Sequence, residues 1–317
     1  MGPETSHIPK LAHFIWLGSS FPWIYGMALR SAAVRGGFDQ VYLHHRDDIS
    51  TTPGWAAAMD HPRVQARRLE PERVLAGAGP RGDALVALYG RLSKPAAQTN
   101  MVRAALLATE GGVYLDTDTV TVRSFEPLLA TGVFCGRERI ALTGEVRRAR
   151  RPGPLLGAGA RLALRELFRL LPGGWRGFRR VEPWFHLAVN NAVLGAQPGH
   201  PFILGMLDRM LALPPARQLV RYALGTVLLQ GAVADWEGDD LVVHPPERFY
   251  PLGPEISEHW FRPTQAPALD QVMGPDTTLV HWYASVRTKR YVPQFDPAYV
   301  RAHRDRQLLS ALLAEFL

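Results

Sequence analysis

The chain has a single cysteine, Cys135, in 317 residues. An intrachain disulfide and any cysteine-built zinc site are therefore excluded, and a reducing, cytoplasmic setting is expected. Lysine is almost as scarce: Lys10, Lys94 and Lys289 are the only three, so the formal charge of +7 rests on arginine. Arginine in place of lysine, beside abundant alanine, glycine, proline and leucine, reads as the output of GC-rich codons. That points to a bacterial source and weakens the step from basic charge to a nucleic-acid partner. No run of about 18 uncharged apolar residues occurs, and the opening MGPETSHIPK lacks the apolar core of a leader, so neither a membrane span nor a secretory signal is expected. Gly2 and Ser6 satisfy a lipidation pattern permissive enough to be read as chance.

What is present is a core-forming composition, 47% hydrophobic, consistent with one large globular domain over 1–317. LAHFIWLG (11–18) reads as a buried strand. An amphipathic helix follows from Trp23 to about Arg35, then the strands QVYLHH and RVQARRL, then a polar stretch rich in proline and glycine. KPAAQTNMVRAALLATEGG has helical spacing and ends on Gly111-Gly112. The alternation predicts an α/β fold with a Rossmann-like, mostly parallel sheet, whose ligands gather at the carboxyl ends of strands. Three parts are expected: a nucleotide-binding half at about 8–135, a helical arginine-rich insert at about 136–235, and a closing segment at about 236–317 with the strands DDLVVHPP and TTLVHWYASV and a C-terminal helix.

GGVYLDTDTV (111–120) then places Asp116 and Asp118 around one threonine at the mouth of an apolar strand. Residues two apart on a strand share a face, so the two carboxylates are expected to project together. Their repulsion is relieved by a hard divalent cation, Mn²⁺ or Mg²⁺, that keeps positions open for phosphate oxygens. The plainer alternative has one acid capping a turn and the other solvated.

VYLDTDTV also fits the start of haloacid dehalogenase-like phosphatases, but their chemistry needs a lysine further on. None occurs from 95 to 288, and residues 1–110 would have no role. GAGPRG (77–82) fits G-x-G-x-x-G, yet Pro80 removes an amide that a phosphate would use. GGWRGFRRVEPWF (173–185) interleaves arginine with aromatics, and is read as lining an acceptor site or touching an acidic membrane surface rather than nucleic acid.

Five stretches carry a family resemblance: IPKLAHFIWLG, TNMVRAALLATEGGVYLDTDT, NNAVLGAQPGHPF, PPERFYP and VHWYASV, between residues 8 and 290. Together they resemble the family 32 glycosyltransferases with a DXD sugar-binding region. That group includes bacterial capsule and oligosaccharide transferases and the yeast initiation-specific mannosyltransferase, and is distantly similar to the clostridial toxin glucosyltransferases. The resemblance implies a GT-A fold, a nucleotide-sugar donor, a divalent cation and retention of anomeric configuration. It places Trp16 beside the nucleotide base, where an indole can stack, although a core tryptophan fits the pattern equally well. Asn100 and Arg103, three apart on a helix, face the donor sugar and phosphates. Asp116 touches ribose or sugar, Asp118 binds the metal, and Asn191 lies near the reacting sugar. His281 is a further metal ligand and Ser285 a nucleotide-sugar contact. The chain departs from the pattern at Asn100, where most members have aspartate, and at Val286, where they have tryptophan. RTKR (287–290) either closes over the diphosphate or is a solvated basic loop. No covalent nucleophile stands out, so a front-face displacement is expected. The function expected is transfer of a hexose, from a UDP-sugar by preference, to a carbohydrate, lipid-linked or small-molecule acceptor. A non-catalytic nucleotide-sugar-binding protein of the same fold is the alternative.

Overall fold

The computed structural model describes residues 7–143, 146, 152–220, 222–264 and 267–317. Gly2 and Ser6 of the lipidation pattern, and Arg147, Arg148, Arg150 and Arg151 of the insert, lie outside these residues.

β1 (Leu11–Trp16) is buried over four consecutive positions, Ala12 to Ile15. A strand covered on both faces has no reason to alternate polar and apolar residues. α1 (Trp23–Arg35) departs from the amphipathic expectation. Nine of its 13 residues are buried, Ser31 among them, because other elements cover it on more than one side. Gly26 makes room for α2 (Pro53–Met59), since a Cβ there would stand 2.1 Å from the Gly54 carbonyl oxygen. β2 (Gln40–His45) and β3 (Val64–Arg68) follow as expected. The stretch read as polar and irregular holds two short helices, α3 (Pro71–Ala76) and α4 (Gly82–Gly90). Leu75, Leu85 and Leu88 are fully buried there, a periodicity too brief to stand out among prolines and glycines.

α5 (Pro95–Thr109) buries every residue from Met101 to Ala108. It gives way to β4 (Gly112–Leu115) through Gly111 and Gly112, at φ 67° and 93°, a left-handed backbone that only glycine adopts at little cost. β5 (Thr119–Thr121), β6 (Val133–Ile140), α6 (Pro152–Leu170), α7 (Trp175–Val181), β7 (His186–Ala196), α8 (Pro201–Ala212), α9 (Thr226–Ala234), β8 (Leu241–His244), β9 (Leu279–His281), α10 (Pro297–His303) and α11 (Leu308–Leu313) complete the main elements.

Seven strands form one sheet in the order β3-β2-β1-β4-β7-β6-β8. β1 runs parallel to β2, from Leu11 opposite Gln40 to Trp16 opposite His45, and parallel to β4. β2 with β3 and β6 with β8 are also parallel, while β4 and β7 are antiparallel, with Leu115 opposite Val193. The sheet is thus mostly parallel. β5 and β9 form a separate two-stranded sheet.

The chain divides into two compact units. The first holds residues 1–117, 121–136 and 189–244, and its core packs α5 residues such as Val102 and Leu106 with Leu194, Ile203, Leu207 and Leu229. Each such aliphatic side chain contributes roughly 1.5–3 kcal/mol on burial. The second unit holds 118–120, 137–188 and 245–317. Among its buried side chains are Trp260, Trp282 and Leu308. Glu258 is also buried in it, its carboxylate accepting from Arg169 at 2.8 Å and Arg287 at 3.2 Å.

Candidate functional site

The D-x-D acids lie past the strand rather than in it. β4 ends at Leu115, Asp116 follows it, and Thr117 and Asp118 form a bend before β5, which corrects the expectation of two carboxylates on one strand face. The Asp116 amide makes the last bond of the sheet, to the Ala192 carbonyl at 2.8 Å, after which the chain leaves for the two-stranded sheet.

Asp116 is held within the first unit. Its Oδ1 accepts from the Tyr114 hydroxyl at 2.7 Å and from Arg103 Nη2 at 3.2 Å. Arg103 projects from α5, its guanidinium 3.9 Å from the centre of the Tyr114 ring, and its Nη1 donates to the Asn191 carbonyl on β7. The Asn191 side-chain amide donates to Asn100 Oδ1 at 2.9 Å. Asn100, Arg103, Asp116 and Asn191 are thus brought together, as three elements converge. The substitution at Asn100 keeps the acceptor oxygen that an aspartate would offer here. Gly225 is needed beside them, since a Cβ would stand 2.7 Å from Asn100 Nδ2. Tyr114 escaped the sequence reading. Its signal was there, because it precedes Asp116 by two on an extended segment and so faces the same way.

Asp118 is held within the second unit. Its Oδ1 lies 3.0 Å from His281 Nε2, and its Oδ2 accepts the Ala284 amide at 2.7 Å. Burial alone would raise this carboxyl, but the adjoining imidazole and the Ala284 amide outweigh it and hold it below the usual carboxylate value. His281 ends β9 and packs between Tyr250 and Tyr283, with ring centres 5.9 and 4.0 Å away. Tyr283 adopts φ 58°, a left-handed backbone costing about 1–3 kcal/mol outside glycine. The turn it makes aims the Ala284 amide at Asp118, and its hydroxyl is fixed to Glu138 at 2.8 Å. Nothing in the pattern of single residues signals that geometry.

The remaining expected residues have separate surroundings. Trp16 is half-buried, donates from Nε1 to the Ser20 carbonyl at 3.1 Å, and packs 4.8 Å from Phe21 and Tyr25. Ser285 is exposed in the turn that follows Tyr283. Of RTKR, Arg287 and Arg290 are drawn to Glu258, so the loop is neither free in solvent nor purely basic. In the stretch 173–185, Trp175, Phe178 and Phe185 are core residues, which corrects the reading of its aromatics as an open acceptor wall; Trp184 alone of the four is exposed. A cavity of about 730 Å³ opens beyond the carboxyl ends of β2 and β3, lined among others by Arg46, Arg68, Tyr89 and Gln98.

The first unit is a mostly parallel α/β sheet with Asp116 just past the carboxyl end of a buried strand, the end at which such sheets gather ligands. Residues 58–134 match the family model described as glycosyltransferase sugar-binding region containing DXD motif. No curated protein matches the chain. Among solved structures it is similar to the PaToxG glycosyltransferase, with 16% identity over 72% of this chain and 69% of that one and a TM-score of 0.40. The ligand-free glycosyltransferase domain of the YGT toxin has 10% identity over 75% and 80% of the two chains, at 0.44. Mouse xyloside xylosyltransferase 1 has 10% over 85% and 96%, at 0.42.

Proposed function

We propose that the protein is a retaining glycosyltransferase that moves a hexose, from a UDP-sugar by preference, to an acceptor hydroxyl, with a divalent cation held by Asp118 and His281. The pairing of these two residues at 3.0 Å, with Asp118 inside the segment that matches the family, carries the reading. The donor set fits the ion. Asp118 is kept ionised by its surroundings, and an imidazole nitrogen favours Mn²⁺ over Mg²⁺. The bound cation would neutralise charge on the leaving diphosphate.

The chain's own groups do the rest. Arg103, locked by Asp116, Tyr114 and the Asn191 carbonyl, presents a buried positive charge that needs no reorganisation when charge develops. Asn100 and Asn191 offer amide donors and acceptors to sugar hydroxyls, Trp16 an indole face to the base, and Ser285 a hydroxyl to phosphate. The cavity bounded by Arg46, Arg68, Tyr89 and Gln98 has the volume of a small-molecule site and takes the nucleoside end. Asp116 is engaged by two donors, which favours front-face displacement, the leaving phosphate guiding the acceptor's proton, over attack by a side chain. The acceptor is a carbohydrate, a lipid-linked saccharide or a small molecule.

The test is a panel of UDP- and GDP-sugars with Mn²⁺, followed by binding and by nucleotide release. Release that needs Mn²⁺ and stops in EDTA is expected. Turnover unchanged in EDTA would overturn the metal assignment, and tight binding without release from any donor would favour the non-catalytic protein that Val286 suggests.

A further inference from the structure

A helix on a protein surface normally turns its apolar stripe inward and its charges outward. α6 does the reverse. Leu156, Ala160, Ala163, Leu167 and Leu170 recur at spacings of four and three, which gathers them on one face, and all five are exposed. The opposite face carries Ala158, the only buried residue of the helix, with Arg161, Arg165 and Arg169. These arginines are consumed by the protein. Arg161 Nε donates to the Ala141 carbonyl, Arg165 pairs with Glu166 and Glu255, and Arg169 pairs with Glu166 and Glu258. The helix is anchored through these arginines and through Phe168, whose ring meets that of Phe178, while Leu155, Leu156, Leu167 and Leu170 are left in solvent, Leu156 74% exposed and Leu170 61%. A stripe of this kind is a standing cost unless something covers it.

Charge says what covers it. The segment 144–184 holds ten of the chain's 36 basic residues and three of its 29 acidic ones, so all other positions balance at 26 of each and the net +7 lies here. Arg176 and Arg180 of α7 are exposed, and Trp184, 65% exposed, follows that helix by three residues. An exposed apolar helical stripe, neighbouring arginines and an outward tryptophan are the components of a helix lying in a lipid interface. We propose that α6 and α7 dock the protein onto an anionic bilayer surface, the leucines of α6 entering the acyl boundary and the arginines of α7 meeting acidic headgroups. No described helix is long and apolar enough to cross a membrane, so the contact is peripheral.

Sedimentation of the full chain with vesicles tests this independently of nucleotide binding. Pellets are expected with phosphatidylcholine containing 30% phosphatidylglycerol in low salt, and not with phosphatidylcholine alone. Leu167→Glu with Leu170→Glu is expected to abolish binding without moving the melting temperature, because both positions are exposed. Arg176→Glu with Arg180→Glu is expected to weaken it by about fivefold or more per arginine. Equal binding to both vesicle types, none to either, or full binding by the leucine variant would overturn the proposal. So would concentration-dependent self-association that the leucine variant abolishes while vesicles have no effect, since a second copy would then be the occupant.

Discussion

Two hydrogen-bonded acids with different partners carry the site, and they should answer differently to substitution. Asp118 has a half-buried carboxylate beside His281 and the Ala284 amide, which suits a metal ligand. Asp118→Asn preserves shape and removes charge, so Mn²⁺-dependent donor binding should fall at least about tenfold while the fold is kept. A variant with an unaltered Mn²⁺ titration would remove Asp118 from the metal site. Tyr114→Phe instead removes one donor from Asp116, a hydrogen bond to a charged group worth about 1.5–3 kcal/mol. Here kcat/KM should drop roughly ten- to hundredfold with the Mn²⁺ titration unchanged, because the hydroxyl removed donates to Asp116 rather than to the proposed metal ligands. A shift of the metal titration in Tyr114→Phe would contradict that division of roles.

At the scale of elements, the connection from α5 to β4 decides where these acids stand. Gly112 sits at φ 93°, and a Cβ would lie 2.8 Å from the Leu11 carbonyl oxygen and 3.1 Å from His13 Nε2. Backbone strain and displacement of β1 add, so Gly112→Ala should cost about 2–4 kcal/mol in a urea titration. A midpoint equal to the wild type would mean that the turn relaxes freely and does not set the register of β4.

At the scale of the molecule, pH acts on stability through buried histidines. His13 Nδ1 meets His44 Nε2 at 3.0 Å, and its Nε2 meets the Gly111 carbonyl at 3.0 Å. Burial pushes His13 down to about 4, against 6.5 for a free imidazole, and lowers His44 as well. The unfolded chain therefore takes up protons that the folded chain refuses, so this stability is complete above 6.5 and is lost as pH falls from there towards 4. For His13 alone the loss is about 2 kcal/mol by pH 5. Glu182 acts in the opposite sense, since burial raises it to about 7 and its ionisation disfavours the fold as pH rises. The two are separated by comparing His13→Asn with the wild type in urea between pH 5 and 7.5. The variant should show a stability that falls less steeply towards acid, and parallel pH curves would show that His13 does not carry the effect.

The sequence by itself determined the alternation of elements and singled out the acidic pair. Buried runs, helix-stopping glycines and the acidic pair are local features, and β1, α1, β2, β3 and α5 follow from them because hydrophobic period and backbone permission are properties of neighbours in the chain. His281 was legible only through a resemblance, since no spacing links it to an acid more than 160 residues earlier. Tertiary structure alone decided the rest. The chain bends after Asp116 because it changes sheets there, Tyr114 and the Ala284 amide become donors to the acids, and in RTKR, read as closing over a diphosphate or as a solvated basic loop, Arg287 and Arg290 reach the buried Glu258. The outward leucines of α6 are of the same kind. Helical period fixes which residues share a face, but which face turns inward depends on the free energy of the surface it meets, and here the buried Glu258 and the half-buried Glu255 draw the arginines in.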